Sequence, residues 1–227
     1  MLMMIQAVIF DLDDTLYYEL NYVKSGFRAV SEYIALRYQV DKDEFYQELL
    51  NILEIEGRGK TFNIALEKFV LPAAELEKMI DVYRSHHPEN IKLYEDALEI
   101  LNRYLKEKRY KTGIITDGNS EVQWNKIRSL GLDEKVNQII VTDDFGVNKR
   151  KPHFFSYQRM LKLLQVKAEE AVYVGDNPVK DFITARKLRL KTVRIIREHG
   201  MHIGKRMAAK YEADYEINTL KDLDQYI

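Results

Sequence analysis

Five short runs of apolar and β-branched residues punctuate the chain: QAVIF (6–10), KTGIIT (111–116), NQIIVT (137–142), AVYVG (171–175) and KTVRII (191–196). Apolar runs this short, bounded by polar residues, are the mark of buried strands. Helical spacing fills the intervals. Val122, Ile127 and Leu130 follow the second run, Phe154, Phe155 and Leu161 the third, and PVKDFITARKL the fourth, with Pro178 suited to a first helical turn. Strands that alternate with helices make βαβ units, which predicts an α/β fold with a doubly wound parallel sheet. Ligands of such sheets bind beyond the carboxyl ends of the strands, so the residue after each run is where chemistry is expected.

The first two strands are separated by about a hundred residues, far more than one crossover needs, so part of that interval is an insertion. Its apolar residues recur at helical spacing in four groups: Phe27, Val30, Ile34; Phe45, Leu49, Ile52; Phe62, Leu66, Phe69; and Leu76, Met79, Ile80, Tyr83. A small α-helical bundle over 17–88 is therefore expected, inserted into an α/β core made of 1–16 and 89–227. The 227 residues are 46% apolar, enough to fill both cores. The breaks fall at VDKDE, EGRGK, LPAAE and HHPEN, the last being a solvated hinge by its polar composition. YEDALEILNRYLKEK then forms the helix that returns to the second strand.

Charge narrows the partners. Lys plus Arg total 35 and Asp plus Glu 36, so no overall field draws the chain to nucleic acid or an anionic membrane, and a charged ligand must be gripped locally. The lack of cysteine excludes a disulfide framework and fits a cytoplasmic location. The apolar stretch from Met1 to Phe10 has no basic flank and is too short to span a bilayer, so neither signal nor anchor is expected. Monomer and homodimer remain equally open.

The strand ends converge on one chemistry. The first run ends in Asp11-Leu12-Asp13-Asp14-Thr15, the second in Thr116-Asp117-Gly118, and the fourth in Gly175-Asp176, with Asp181 five positions on. Lys151 precedes Pro152 after the third, beside Lys149 and Arg150. Carboxylates gathered at one sheet edge repel unless a cation sits among them, and all-oxygen ligands suit Mg²⁺ together with a substrate phosphate. A carboxylate in that cradle can also act as a nucleophile toward phosphorus, while Lys151 and Thr116 can hold the phosphoryl oxygens.

D-x-D-x-T by itself is a weak signal, because Asp and Thr are ordinary turn and capping residues. Here it follows an N-terminal apolar strand and is joined, in order, by three further motifs at strand ends. The sequence thereby resembles a haloacid dehalogenase superfamily hydrolase of the phosphatase kind. Asp11, Asp13 and Thr15 match the first motif, Thr116 the second, Lys151 the third, and Gly175, Asp176 and Asp181 the fourth; the helical insertion falls where a C1-type cap belongs. The resemblance implies a Rossmann-like core, with Asp11 as nucleophile and Asp13 as acid and then base. It further implies Thr116, Asp117 and Lys151 on the phosphate, and Mg²⁺ held by Asp11, the Asp13 main-chain carbonyl and Asp176. Asp181 would orient ligands or Lys151 from behind.

Asp13 favours phosphate esters over carbon–halogen substrates within that superfamily. Phosphomutases of the β-phosphoglucomutase-like kind share both aspartates but usually carry D-x-D-G-V, whereas this chain has Asp14-Thr15. A non-catalytic phosphoryl-acceptor module is disfavoured by the position of the acidic cluster after the first strand. Many capped relatives have T-N-G after the second strand where this chain has Thr116-Asp117-Gly118, and the main-chain N–H of Asp117, not its carboxylate, is expected to face phosphate. Thr15 is expected to tie the turn, Arg58 and Lys60 to lie in an ordinary loop, and His199 and His202 in a surface loop. A small phosphate ester is the implied substrate, with sugar phosphates, nucleoside monophosphates and glycolate-type phosphates all open.

Overall fold

The computed structural model describes residues 4–88 and 90–227. Met1 to Met3, the start of the apolar N-terminal stretch, and Glu89, where the sequence places the return to the core, lie outside the described residues. The chain forms two compact units, Met1–Glu19 with Ile91–Ile227, and Leu20–Asn90. Residues 17–19 belong with the sheet because Tyr17 bridges to Leu93 and the Glu19 N–H donates to Asp14 Oδ1 at 3.0 Å.

The larger unit is built on six parallel strands: β1 (Ala7–Phe10), β2 (Lys111–Thr116), β3 (Gln138–Val141), β4 (Ala171–Gly175), β5 (Lys191–Ile195) and β6 (Tyr215–Ile217). Their order is β3-β2-β1-β4-β5-β6, the doubly wound arrangement. Side chains alternate across the pleat and both sets are buried, as a parallel sheet covered on two faces requires. Ala7, Ile9, Ile115, Ile140 and Tyr173 pack in one cluster with Tyr157, Met160 and Leu164 of α7 (Phe154–Leu164) and Phe182 and Ala185 of α8 (Phe182–Lys187). Val8, Phe10, Ile114, Val172 and Val174, on alternate positions, are equally shielded from water. Each such aliphatic side chain contributes roughly 1.5–3 kcal/mol of burial.

Two elements differ from the sequence expectation. The sixth strand has no periodicity to reveal it, being three residues long with two of them exposed. Helix α8 starts at Phe182, four residues after Pro178. The Asn177 side chain accepts the Val179 N–H at 3.0 Å and its carbonyl accepts from Lys180 and Asp181, so a turn occupies the place of the first helical residues.

The smaller unit contains most of α1 (Glu19–Ala35), then α2 (Lys42–Glu56), α3 (Thr61–Lys68) and α4 (Glu75–Ser85). Asp41 caps α2 through the N–H groups of Asp43 and Glu44. Phe27, Val30, Ile34, Phe45, Leu49, Ile52, Leu66 and Met79 form its own core. His86 is part of that interior rather than of a solvated hinge. Its ring lies 4.6 Å from that of Tyr22, and Nδ1 donates to the Tyr83 carbonyl at 2.6 Å, whereas His87 is exposed.

Candidate active site

The register of β1 with both neighbours sets the site. Phe10 pairs with Ile114 on one side and Val174 on the other, so the residues that leave these strands emerge along one edge. Asp11 extends the ladder by donating its N–H to Val174 O at 2.8 Å. Its Oδ1 accepts from Lys151 Nζ at 2.6 Å, and the same ammonium donates to Asp181 Oδ1 at 2.8 Å and Tyr173 Oη at 3.0 Å. Of the three adjacent basic residues only Lys151 enters this network. Arg150 pairs through two nitrogens with Asp143, both at 2.6 Å, and Lys149 lies over the Phe155 ring.

Asp11, Asp176 and Asp181 each bring a carboxylate oxygen within 4.8 Å of the others. Asp181 has both oxygens engaged, Oδ1 by Lys151 and Tyr173 and Oδ2 by the Asn177 N–H at 3.0 Å. Asp176 is different: it is buried, and no hydrogen bond from the described residues reaches its carboxylate. Burial and the neighbouring charges of Asp11 and Asp181 push its carboxyl well above the ordinary range. Burial likewise raises Asp11 to about 6, against the pull of Lys151. A buried carboxylate without a donor, next to another with one oxygen open, fits a hard divalent cation.

The Asp13 carboxylate does not join this cluster, so only its main-chain carbonyl remains a candidate metal ligand. Its Oδ1 accepts from Tyr17 Oη at 2.6 Å and Lys126 Nζ at 2.8 Å, and its Oδ2 from Gln123 Nε2 at 3.0 Å. Burial would raise its carboxyl, but the Lys126 charge and the three hydrogen bonds outweigh this and hold it below the usual range. None of these three donors is evident from motif spacing. The available signal is Gln123 and Lys126 at i, i+3 on α6 (Ser120–Ser129), a polar pair on one helix face.

Thr116 ends β2, and its hydroxyl accepts from Gln123 Nε2. The cap of α6 is Asn119, which accepts the Val122 N–H at 3.2 Å, so Thr116 is not spent on capping. Between them Gly118 takes φ +138°, a backbone state that side chains disfavour. The Asp117 carboxylate is engaged by the protein itself: Oδ1 accepts from Thr142 Oγ1 at 2.8 Å and the Lys151 N–H at 3.0 Å, and Oδ2 from Lys180 Nζ at 3.2 Å. Burial opposes its ionisation, yet Lys151 and Lys180 hold it below the ordinary carboxylate range. Lys180 is a further residue the motifs do not mark.

A family model for haloacid dehalogenase-like hydrolases matches residues 8–195. The chain belongs to that family. It is 35% identical over 226 residues to a glyceraldehyde 3-phosphate phosphatase of Methanocaldococcus jannaschii, covering 97% of this chain and 96% of the relative. It is 28% identical over 226 residues to the pyrophosphatase PpaX of Bacillus mycoides, covering 97% and 96%. The solved structure of a HAD phosphatase from Thermococcus onnurineus superposes with a TM-score of 0.63 at 28% identity, over 97% of each chain. By these relationships this dehalogenase-like hydrolase is a phosphatase.

In this hydrolase Thr15 serves its turn through the main chain. Arg197, just beyond β5, donates to Thr15 O from Nη2 at 2.8 Å and Nε at 3.3 Å, and pairs with Asp96 Oδ2 at 2.7 Å. The Thr15 hydroxyl is buried without a hydrogen-bond partner, so it does not tie the turn as expected. Asp14, at φ +53°, accepts the Met201 N–H at 3.0 Å, which anchors the segment after β5 to the first motif. His202 lies in that segment, half-buried, and its carbonyl accepts from the buried Arg194 at 2.6 Å.

Proposed function

We propose that this phosphatase cleaves a small phosphate monoester by transferring the phosphoryl group to Asp11 and then to water, with Mg²⁺ as cofactor. The observation that carries this reading is Asp11 itself: one oxygen is pinned by Lys151, and the donor-free carboxylate of Asp176 stands beside it. Asp11, the Asp13 main-chain carbonyl and Asp176 are the ligands we assign to Mg²⁺. Bound there, the ion offsets the charge of the carboxylates and of the phosphoryl oxygens.

The remaining roles follow from donors and charges. Asp11 attacks phosphorus; Asp13, ionised among its three donors in the free site, takes a proton from the substrate's phosphate monoanion, passes it to the departing ester oxygen, and then takes a proton from the water that releases phosphate. Lys151 supplies a fixed positive charge to the transferring group, and its contact with Asp181 and Tyr173 keeps Nζ aimed at Asp11. The Thr116 hydroxyl, which accepts from Gln123, retains its own proton to donate to a phosphoryl oxygen. The N–H groups of Asp117 and Gly118 supply further donors, the Asp117 side chain being committed to Thr142, Lys151 and Lys180.

The helical unit Leu20–Asn90 is assigned the part of a cap that selects the leaving group. The Methanocaldococcus jannaschii relative makes glyceraldehyde 3-phosphate the first candidate substrate and PpaX makes pyrophosphate the second. No helix among the described residues is long and apolar enough to cross a membrane. With balanced charge and no cysteine, we place the enzyme in the cytoplasm, acting on a small molecule rather than nucleic acid. The test is phosphate release from glyceraldehyde 3-phosphate, pyrophosphate, sugar phosphates, nucleoside monophosphates and phosphoglycolate, with Mg²⁺ and with chelator, on wild type and Asp11→Asn. Mg²⁺-dependent release that the variant loses is expected. Release that survives in Asp11→Asn overturns the covalent route.

A further inference from the structure

Lys126 is, like Lys151, a lysine almost wholly buried, 3% exposed, although Glu121 and Arg128 on the same helix are exposed. Removing an ammonium from water costs several kcal/mol unless a partner repays it. The partner is Asp13 Oδ1 at 2.8 Å, with Glu19 Oε1 farther away at 3.6 Å. Gln123, one turn earlier on the same face and 1% exposed, donates to the other oxygen of Asp13 and also to the Thr116 hydroxyl. Tyr17 completes the set on Oδ1. With donors on both oxygens, rotation of the Asp13 carboxyl about its terminal bond would break at least one charge-assisted hydrogen bond.

We propose that Lys126, together with Gln123, is a positioning residue for the reaction: it aims Asp13 at the leaving oxygen and stabilises the carboxylate that Asp13 becomes. The proposal rests on the Asp11 and Asp13 roles given above. In the first step an Asp11 oxygen forms its bond to phosphorus as the bond from phosphorus to the ester oxygen breaks. The electron pair of that bond stays on the ester oxygen; Asp13, ionised among its three donors in the free site, first takes a proton from the substrate's phosphate monoanion and passes it to that oxygen. Asp13 is left negative, and the Lys126 ammonium is already in place to balance it. Such a pre-set charge acts where charge develops, which is the most productive place for an electrostatic contact. The Gln123 amide joins the acid to Thr116, so proton donor and phosphate-holding hydroxyl are fixed relative to each other by one side chain.

A role in protonating the leaving group makes a prediction that a structural role does not. An alkoxide leaving group needs the proton, whereas 4-nitrophenolate departs with little help. Lys126→Met is therefore expected to lower kcat/KM, which reads cleavage of the ester and not the later hydrolysis common to both substrates, by about 100-fold on glyceraldehyde 3-phosphate, the low end of what general acid catalysis supplies. On 4-nitrophenyl phosphate the fall should stay within about 5-fold. Tyr17→Phe, which removes one donor from Asp13, should show the same substrate split at smaller size, and it carries the test if Lys126→Met does not fold. Equal losses on both esters, or no loss on either, overturn the proposal while leaving the phosphatase reading intact. Where wild type does not turn over glyceraldehyde 3-phosphate, the alkyl ester of the panel above that it cleaves fastest takes its place; an Asp11→Asn variant as active as wild type overturns the covalent route and this proposal with it.

Discussion

Lys151 Nζ lies 2.6 Å from Asp11 Oδ1, with the lysine side chain fully buried and the aspartate 4% exposed. That single ammonium also faces Asp181 at 2.8 Å. One positive charge therefore answers two carboxylates directly, and Asp176 adds a third within reach. The site carries surplus negative charge in a dry environment, an arrangement that costs stability and is suited to gripping a cation.

The cost should be measurable at Asp11. Its carboxyl is raised to about 6 in the fold, from an ordinary 3.8. Below about pH 4 both folded and unfolded chains hold the proton, and nothing is lost. Between about 4 and 6 the unfolded chain ionises while the folded one resists, so wild-type stability falls as pH rises. A shift of about two units corresponds to about 3 kcal/mol. In chelator at pH 7, Asp11→Asn should therefore unfold at higher urea than wild type, and the gap should close by pH 4. A variant less stable than wild type at pH 7 would contradict this account.

Asp176 should govern the cation. Asp176→Asn removes a buried charge that no hydrogen bond compensates, so the cation-free variant should be as stable as wild type or more so. The rise in melting temperature that Mg²⁺ gives wild type should be largely abolished in the variant, since ligand stabilisation scales with affinity. Thermal unfolding across a Mg²⁺ titration reads both effects. An undiminished Mg²⁺ response would place the ion elsewhere.

Gly175 has no room for a side chain. A Cβ there would stand 2.5 Å from Asp181 Oδ2, which is itself held by the Asn177 N–H. Gly175→Ala must push Asp181 away and loosen Lys151. A stability loss of about 2 kcal/mol, within the range for overpacking, and a fall in kcat are expected together. Chemical denaturation and turnover of the same preparation check this, and an unchanged kcat would show that Asp181 does not orient Lys151.

Asp117 and Lys180 should prove coupled. The pair is 3.2 Å apart, with the lysine side chain 28% exposed, so a coupling of about 1 kcal/mol at low salt is expected rather than more. Urea unfolding of Asp117→Asn, Lys180→Met and the double variant measures it. A coupling near zero would mean that Thr142 and the Lys151 N–H alone hold Asp117.

The sheet and the acidic cradle were legible because each rests on local pattern. Buried strands announce themselves by runs such as AVYVG, and a residue directly after such a run can only leave from that end of the strand. Asp11, Thr116, Asp176 and, through its neighbour Pro152, Lys151 could thus be found without coordinates. The three-residue β6 was not, since too few side chains alternate in it to make a signal. The first turn expected at Pro178 was displaced by the hydrogen bonds of Asn177, a local competition that helical spacing does not register.

What the sequence by itself determined is the sheet, its inserted helices, and which residues emerge at the strand ends, because period and order act over a few residues at a time. What only the tertiary structure decided is which partners those residues meet. Lys126 and Gln123 reach Asp13 across 113 and 110 positions of chain. Lys180 reaches Asp117 across 63, and Arg197 reaches Thr15 across 182. Helical periodicity puts Gln123 and Lys126 on one face, but only the packing of α6 beside the end of β1 brings that face to Asp13. Burying a lysine is tolerable only where a carboxylate waits, and that condition is met in three dimensions.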